Sequence, residues 1–170
     1  ALPGSMYLYQ GEELGLPEHS TLEDQYRQDP TFFRTEGKRV GRDGARVPLP
    51  WEANASASNG FSPNGAAWLP QPASYANYAR DKQTGVKGST LEMYREALEL
   101  RKELSLGSGS LEWVKEHCGE NALGFLNQGI LVIHNFGTDS LVLPEGELLT
   151  ASSPALRGIE PNQTVWLRLK

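Results

Sequence analysis

The sequence has 170 residues, of which 38% are hydrophobic, and its 16 Lys and Arg against 21 Asp and Glu leave a formal net charge of -5. That composition can bury a core of ordinary domain size, and the acidic balance offers no extended basic surface for phosphates, which argues against nucleic acid and anionic membranes as partners. The longest apolar runs, such as Leu141 to Leu143 and Ile130 to Ile133, fall far short of the roughly 20 residues of a membrane span, no leader pattern is visible, and the single Cys118 excludes an intramolecular disulfide framework and suggests a reducing cytoplasm.

Residues 5 to 9, Ser-Met-Tyr-Leu-Tyr, form a brief apolar run between Pro3-Gly4 and Gly11, the pattern of a buried strand in a parallel sheet. From Gly11 to about Gly88 the sequence is irregular, holds most of the prolines and recurrent Gly, Asn and Ser, and predicts a helical turn only at Leu22 to Arg27. A stretch this long inside a compact domain is either disordered or functional. Its aromatics, among them Trp51, Trp68, Phe32, Phe61 and Tyr75, argue for order, because disordered segments are poor in such residues. We expect a loop excursion draped over a site.

Ser89-Thr90-Leu91-Glu92 reads as a capping box. Leu91, Tyr94, Ala97, Leu98 and Leu104, with Arg101 in line, then recur at spacings of three and four and predict an amphipathic helix, with Gly107 placed to stop it. Beyond Gly107 the period falls to two. Leu111/Trp113, Leu123/Phe125, Leu131/Ile133, Leu141/Leu143 and Val165/Leu167/Leu169 predict short strands of a small antiparallel sandwich. The boundary falls near residue 106, giving a first part over residues 1–106 and a second over 107–170. One strand, one long loop and one helix cannot cover both faces of a strand, so further chain is expected to complete the first part.

Four blocks carry a family resemblance. They are Leu2-Pro3-Gly4-Ser5 with Tyr9-Gln10-Gly11-Glu12-Glu13-Leu14-Gly15, then Gly41-Arg42-Asp43-Gly44-Ala45-Arg46-Val47-Pro48-Leu49-Pro50-Trp51, then Gly60-Phe61-Ser62, then Trp68-Leu69-Pro70-Gln71-Pro72. In this order they resemble the α-amylase-type glycoside hydrolases, in their α-glucosidase and oligo-1,6-glucosidase branch. The resemblance implies an α/β part followed by an all-β part: the eighth strand of a (β/α)8 TIM barrel at Met6 to Tyr9, its active-face loop, its eighth helix at Ser89 to Leu104, and a C-terminal antiparallel β-sandwich. It further implies a retaining reaction with two carboxylates on opposite sides of the scissile bond. In the family those carboxylates lie on strands four and five and a third acid, paired with a histidine, follows strand seven. None of those motifs occurs in this sequence, so no catalytic residue is assigned and the 170 residues alone are expected to be inactive. The implied partners are a small oligosaccharide substrate and the missing N-terminal barrel portion of the same protein; no cofactor is implied.

By the same resemblance Arg42, first arginine of an Arg-Asp-x-x-Arg motif, reaches the non-reducing-end hydroxyl of the innermost glucose. A planar guanidinium donates two parallel hydrogen bonds and can fix a carboxylate and a sugar hydroxyl together. Arg46 and Asp43 are further substrate-binding candidates, set against a plain ion pair that stiffens the loop. Glu12 follows the strand at the face where a barrel keeps its functional groups, set against an anchoring role it shares with Glu13. Tyr9 and Trp51 have the surface to stack on sugars, set against core packing.

The scattered His19, His117 and His134 share no ligand spacing with Cys118, so no metal site is expected, and Glu145, Glu147, Asp24 and Asp29 lie in no calcium-loop pattern. A different class of function stays open: a non-catalytic carbohydrate-binding or interaction module, which would display an exposed row of aromatics such as Trp113 and Trp166. A transglycosylase or sucrose isomerase on the same scaffold is a subordinate alternative.

Overall fold

Every strand among the described residues lies beyond Gly109. The computed structural model describes residues 1–155 and 158–170, which fall into two compact units, Leu8–Leu91 and Ala1–Tyr7 with Glu92–Lys170. The second of these is built on an antiparallel sheet. Its strands are β1 (Glu112–Val114), β2 (Ala122–Asn127), β3 (Ile130–Asn135), β5 (Gly146–Ala151) and β7 (Thr164–Leu169), in the order β1-β2-β3-β7-β5. Two further strands, β4 (Leu141–Val142) and β6 (Gly158–Ile159), make a separate antiparallel ribbon.

The centre of the sheet explains the apolar run Ile130 to Ile133. Successive side chains of a strand point to opposite faces, so a strand covered on both sides reads as continuous rather than alternating. Ile130 and Val132 pack with Phe125, Trp166 and Leu106, joined by Ala97, Leu100 and Leu104. Leu131 and Ile133 pack on the other face with Val165, Leu167 and Ile159, joined by Leu141 and Leu143. A helix therefore covers one face and the ribbon the other. Burial of each large aliphatic side chain contributes about 1.5–3 kcal/mol.

That helix, α3 (Thr90–Glu103), starts where Ser89 predicts. It ends differently. Ser105, at φ 53, takes the left-handed position, after which Leu106–Ser108 makes a 3-10 turn. Gly107 is not the stop; a Cβ there would press on the Arg101 guanidinium at 3.2 Å, and Arg101 donates to Leu2 O at 2.5 Å. The predicted stripe holds at Leu91, which is buried, and at Ala97 and Leu104, which pack on the core; it differs at Leu98, which is exposed while Leu100 packs on the sheet instead.

Three further differences from the sequence expectation have physical causes. Strands β5 and β6 lack a period-two signature: Gly146–Ala151 carries Leu148 and Leu149 side by side, with a register irregularity between Leu148 and Thr150, and β6 is only 2 residues long. Residues 5–9, expected as a strand, join no ladder among the described residues. A parallel strand needs neighbours delivered by long crossover connections, whereas all the pairings here are antiparallel, and Tyr7 is 88% exposed.

The Leu8–Leu91 unit is an ordered excursion of short turns. It holds helices α1 (Pro30–Arg34) and α2 (Arg80–Gln83), and 3-10 turns at Glu12–Leu14, Asp24–Tyr26, Asp43–Ala45, Ala55–Ala57 and Ala73–Tyr78. Only Asp24–Tyr26 falls where a turn is predicted. A small core of Leu22, Val47, Leu69 and Tyr75, with Leu16 against it, holds the excursion together, and Tyr75 Oη donates to Pro17 O at 2.8 Å. Gln83 is buried and closes the unit: its Nε2 donates to Leu14 O at 2.9 Å and Tyr78 O at 3.0 Å, while its Oε1 accepts the Leu91 N–H at 3.1 Å.

Candidate functional site

The Arg-Asp-x-x-Arg segment is braced from below by a residue outside the motif. Asp29 precedes Pro30, and an aspartate before a proline at the first helical position is a strong helix start. Its Oδ1 accepts the Thr31 N–H at 2.8 Å. Its Oδ2 accepts both the Arg42 N–H and Arg46 Nη2 at 3.0 Å. The backbone N–H groups of Thr31 and then Arg42, supplemented by the Arg46 charge, lower the Asp29 carboxyl from 3.8 to about 2. Gly41 supplies the turn into the motif at φ 72, with Asp29 Cβ only 2.5 Å from where a Cβ would stand.

Asp43 is 1% exposed and fully engaged. Its Oδ2 accepts the N–H groups of Gln28 and Asp29, each at 2.9 Å, and its Oδ1 accepts Arg46 Nη2 at 2.9 Å. A buried carboxylate so surrounded replaces the water it loses with charge-assisted bonds. Arg27 adds a second brace: it is buried, donates to Leu22 O at 2.6 Å and Val40 O at 3.2 Å, and lies 5.7 Å from the centre of the Phe32 ring. Asp43 and Arg46 are thus an ion pair within the loop, while Arg42 is left with an exposed guanidinium that makes no hydrogen bond or ion pair with any described residue. Its backbone is fixed and its head is open.

Two neighbouring recesses sit on this unit. The first, about 160 Å³, brings together Tyr9, Gln10 and Glu12 with Glu18, Gly44 and Tyr75. Glu13 does not join it as a free group, because its Oε2 accepts the Gly11 N–H at 2.9 Å. The second, about 340 Å³, is lined by Gln10, Arg46, Pro48, Leu49, Trp51, Phe61 and Trp68. Tyr9 and Glu12 therefore meet, Arg46 faces the adjoining recess, and Arg42 and Asp43 line neither. Asp29, Arg27 and Gln83 were missed by sequence reasoning. Only Asp29 carried a local signal, its place before Pro30.

Among the described residues no group of three or more His, Cys, Asp or Glu side chains is disposed to hold a metal ion, and no helix is long and apolar enough to cross a membrane. The aromatic row that a sheet-borne binding module would display is not formed by Trp113 and Trp166. Trp166 is in the core, and Trp113 stands exposed with its ring edge-on to Phe125 at 6.2 Å.

This architecture belongs to the α-amylase family of glycoside hydrolases: the family's catalytic domain matches residues 1–109, and on that match the chain is a member. Its relatives include proteins named as alpha-glucosidases and an alpha-glucosyl transfer enzyme. A probable alpha-glucosidase of Rhizobium meliloti (strain 1021) is 34% identical over 145 residues, which is 82% of this chain and 25% of that protein. The alpha-glucosyl transfer enzyme XgtA is 30% identical with a TM-score of 0.72, covering 94% of this chain and 32% of that one. A trehalulose synthase, MutB, superposes with a TM-score of 0.79 at 23% identity, over 99% of this chain and 36% of that one, and so speaks for the fold alone. The chain spans about a quarter to a third of the length of these relatives.

Proposed function

We propose that this chain is the C-terminal piece of a retaining α-glucosidase that releases terminal non-reducing α-linked glucose from small oligosaccharides. In this reading residues 1–106 are the last strand, active-face loop and last helix of the barrel, and residues 107–170 the accessory sandwich. Residues 5–9 take their place as a strand between neighbours contributed by the rest of the barrel, which is the chain's principal partner and carries the catalytic carboxylates. Those carboxylates, one nucleophile and one acid/base, cleave the bond by double displacement. The present residues contribute binding: Arg42 holds the non-reducing-end hydroxyl of the innermost glucose, Arg46 and Asp43 hold Arg42 in place, and Tyr9 and Glu12 shape the wall beside it. A cytoplasmic location fits the lone thiol, and the reaction calls for no cofactor.

The observation that carries this reading is the contrast between Arg42 and its neighbours. Asp43 is consumed by the loop and Arg46 is tied to it through Nη2, whereas the Arg42 backbone is pinned to Asp29 and its guanidinium is unengaged among the described residues. Arg42→Ala in the complete protein is expected to lower kcat/KM on maltose about 100-fold, the loss of a charged hydrogen-bond pair, with an unchanged urea midpoint. An unchanged specificity constant would overturn the assignment.

The likeness to XgtA favours glucosyl transfer to a sugar acceptor as a second reading. The two differ in product. Maltose converted only to glucose supports hydrolysis, and longer oligosaccharides accumulating early in the reaction support transfer.

A further inference from the structure

We infer that Asn127, on strand β2 of the C-terminal sheet, is a positioning residue for substrate binding: with Arg101 of helix α3 it clamps residues 1–4 and so fixes where the segment that carries Tyr9 and Glu12 begins. The inference rests on the reading of Tyr9 and Glu12 as part of the glucose-binding wall, which it deepens by assigning one determinant of that wall to the accessory sheet.

The backbone carbonyls of Ala1, Leu2 and Gly4 are all held by side chains from far along the chain. Asn127 Nδ2 donates to Ala1 O at 2.8 Å and also to Leu106 O at 3.0 Å. Arg101 Nη1 donates to Leu2 O at 2.5 Å and its Nη2 to Gly4 O. The Gly4 N–H adds a bond to Gly107 O at 2.8 Å. The partners of Asn127 lie 126 and 21 residues from it in sequence, so one carboxamide joins the sheet, the turn after helix α3 and the clamped segment. Asn127 is 1% exposed, and water cannot replace a donor lost there. Residues 1–7 accordingly form one compact unit with helix α3 and the sheet, while Leu8 opens the unit that carries Tyr9 and Glu12. Only residues 5–8 separate Gly4 from Tyr9, roughly 17 Å of extended chain.

Two glycines make room for the clamp rather than for a turn. Gly109 has an ordinary φ of -81, yet a Cβ there would stand 1.8 Å from Asn127 Oδ1. At Gly107 a Cβ would stand 3.2 Å from Arg101 Nη2 and 3.5 Å from Gly4 O. A side chain at position 109 would therefore force the Asn127 carboxamide off its two carbonyls. Asn135 shows what a buried asparagine does when its task ends within the sheet. It too is 1% exposed; its Nδ2 donates to Asp139 O at 2.8 Å and Ile159 O at 2.9 Å, and its Oδ1 accepts the Gly137 N–H at 2.8 Å. Asn127 Oδ1 is buried with no partner among the described residues. The bonds of Asn127 are thus the two it donates, one of them to the clamped segment.

The test uses the complete protein, with maltose kinetics and amide hydrogen exchange measured on the same samples well below their unfolding midpoints. Asn127→Ala is expected to raise KM about tenfold with kcat within about twofold, because it loosens the binding wall and leaves the reacting carboxylates alone. Exchange in residues 5–9 should quicken about tenfold. Gly109→Ala, which keeps the asparagine, should reproduce both effects. Arg101→Met loosens the same segment without emptying a buried place and should raise KM about fivefold, whereas Arg101→Lys retains a donor and should stay within about twofold of the parent. Asn135→Ala is the control: it weakens the same sheet and lowers the unfolding midpoint, but its KM and its exchange in residues 5–9 should match the parent's. A KM unchanged in both Asn127→Ala and Arg101→Met, or raised equally in Asn135→Ala, would overturn the inference while leaving the Arg42 reading standing. A parent that hydrolyses no α-glucoside would overturn the glucosidase reading instead. Exchange then decides the clamp: faster in Asn127→Ala than in Asn135→Ala supports it, and equal rates overturn it.

Discussion

Arg46 reaches Asp43 at 2.9 Å across one turn of the loop, and the same Nη2 also reaches Asp29 at 3.0 Å. One guanidinium nitrogen thereby ties the buried floor of the motif to the cap of helix α1, and Arg42 lies in the backbone between them. Arginine suits this work because its fork geometry is rigid and always charged.

Removing the Asp43 carboxylate should be the most damaging change in the loop. Asp43→Ala leaves the Gln28 and Asp29 N–H groups without their acceptor in a buried place and Arg46 with Asp29 alone, for which about 3 kcal/mol is the expected loss. Asp43→Asn keeps one acceptor oxygen and should cost about half as much. Urea unfolding followed by tryptophan fluorescence measures both; an unshifted midpoint for the alanine variant would show that the loop does not depend on this brace.

The Asp29 carboxyl predicts an acid limit. Its pKa in the folded chain is about 2 against an ordinary 3.8. A lowered carboxyl contributes stability that is complete above its unfolded value and is lost as pH falls through the folded one. The urea midpoint of the parent should therefore drop between about pH 4 and pH 2, and Asp29→Asn should flatten that part of the profile. Parallel curves for the two proteins would exclude Asp29 as the titrating group.

Gly41 should tolerate no side chain. At φ 72 an L-residue is strained, and its Cβ would collide with Asp29 Cβ and Cγ, both 2.5 Å away. Gly41→Ala is expected to cost about 2–3 kcal/mol, strain and overpacking together, and to loosen the Asp29 contact with the Arg42 N–H. Faster amide hydrogen exchange at Arg42 than in the parent is the diagnostic signal.

Cys118 should react slowly. Burial raises its thiol above the ordinary 9.0, and its Sγ donates to Val114 O at 3.5 Å. Because the thiolate is the reactive form, disulfide-exchange labelling at pH 8 should run at least about tenfold slower in the folded protein than in urea. Equal rates would place Cys118 in open solvent.

What the sequence disclosed depended on how far apart the interacting residues lie. The central strands were readable because Ile130 to Ile133 and Val165 to Leu167 carry their burial in their own side chains, and helix α3 because its stripe and Ser89 are local signals. Strand β5 was hidden, since its pairing with β7 supplies an order that Gly146–Ala151 does not show by itself. In the loop the spacing of Arg42, Asp43 and Arg46 was plain, but their division into one open and two engaged groups was not. That division comes from Asp29, 13 residues before Arg42, and from N–H groups at Gln28 and Asp29, whose identity no side chain announces. Gln83 was the least legible of all, its partners Leu14 and Leu91 lying 69 residues back and 8 ahead.

Gln83 has a consequence for how such a loop changes over time. By fastening Leu14, Tyr78 and Leu91 with one carboxamide, it brings the two stems of the excursion to a common knot. Whatever length or composition lies between the stems is then set apart from the polypeptide on either side, so residues 15–82 form an exchangeable cassette. Grafting them between homologues that keep a glutamine at this knot should transfer substrate preference in a single step, whereas a graft that severs the knot should transfer nothing but instability.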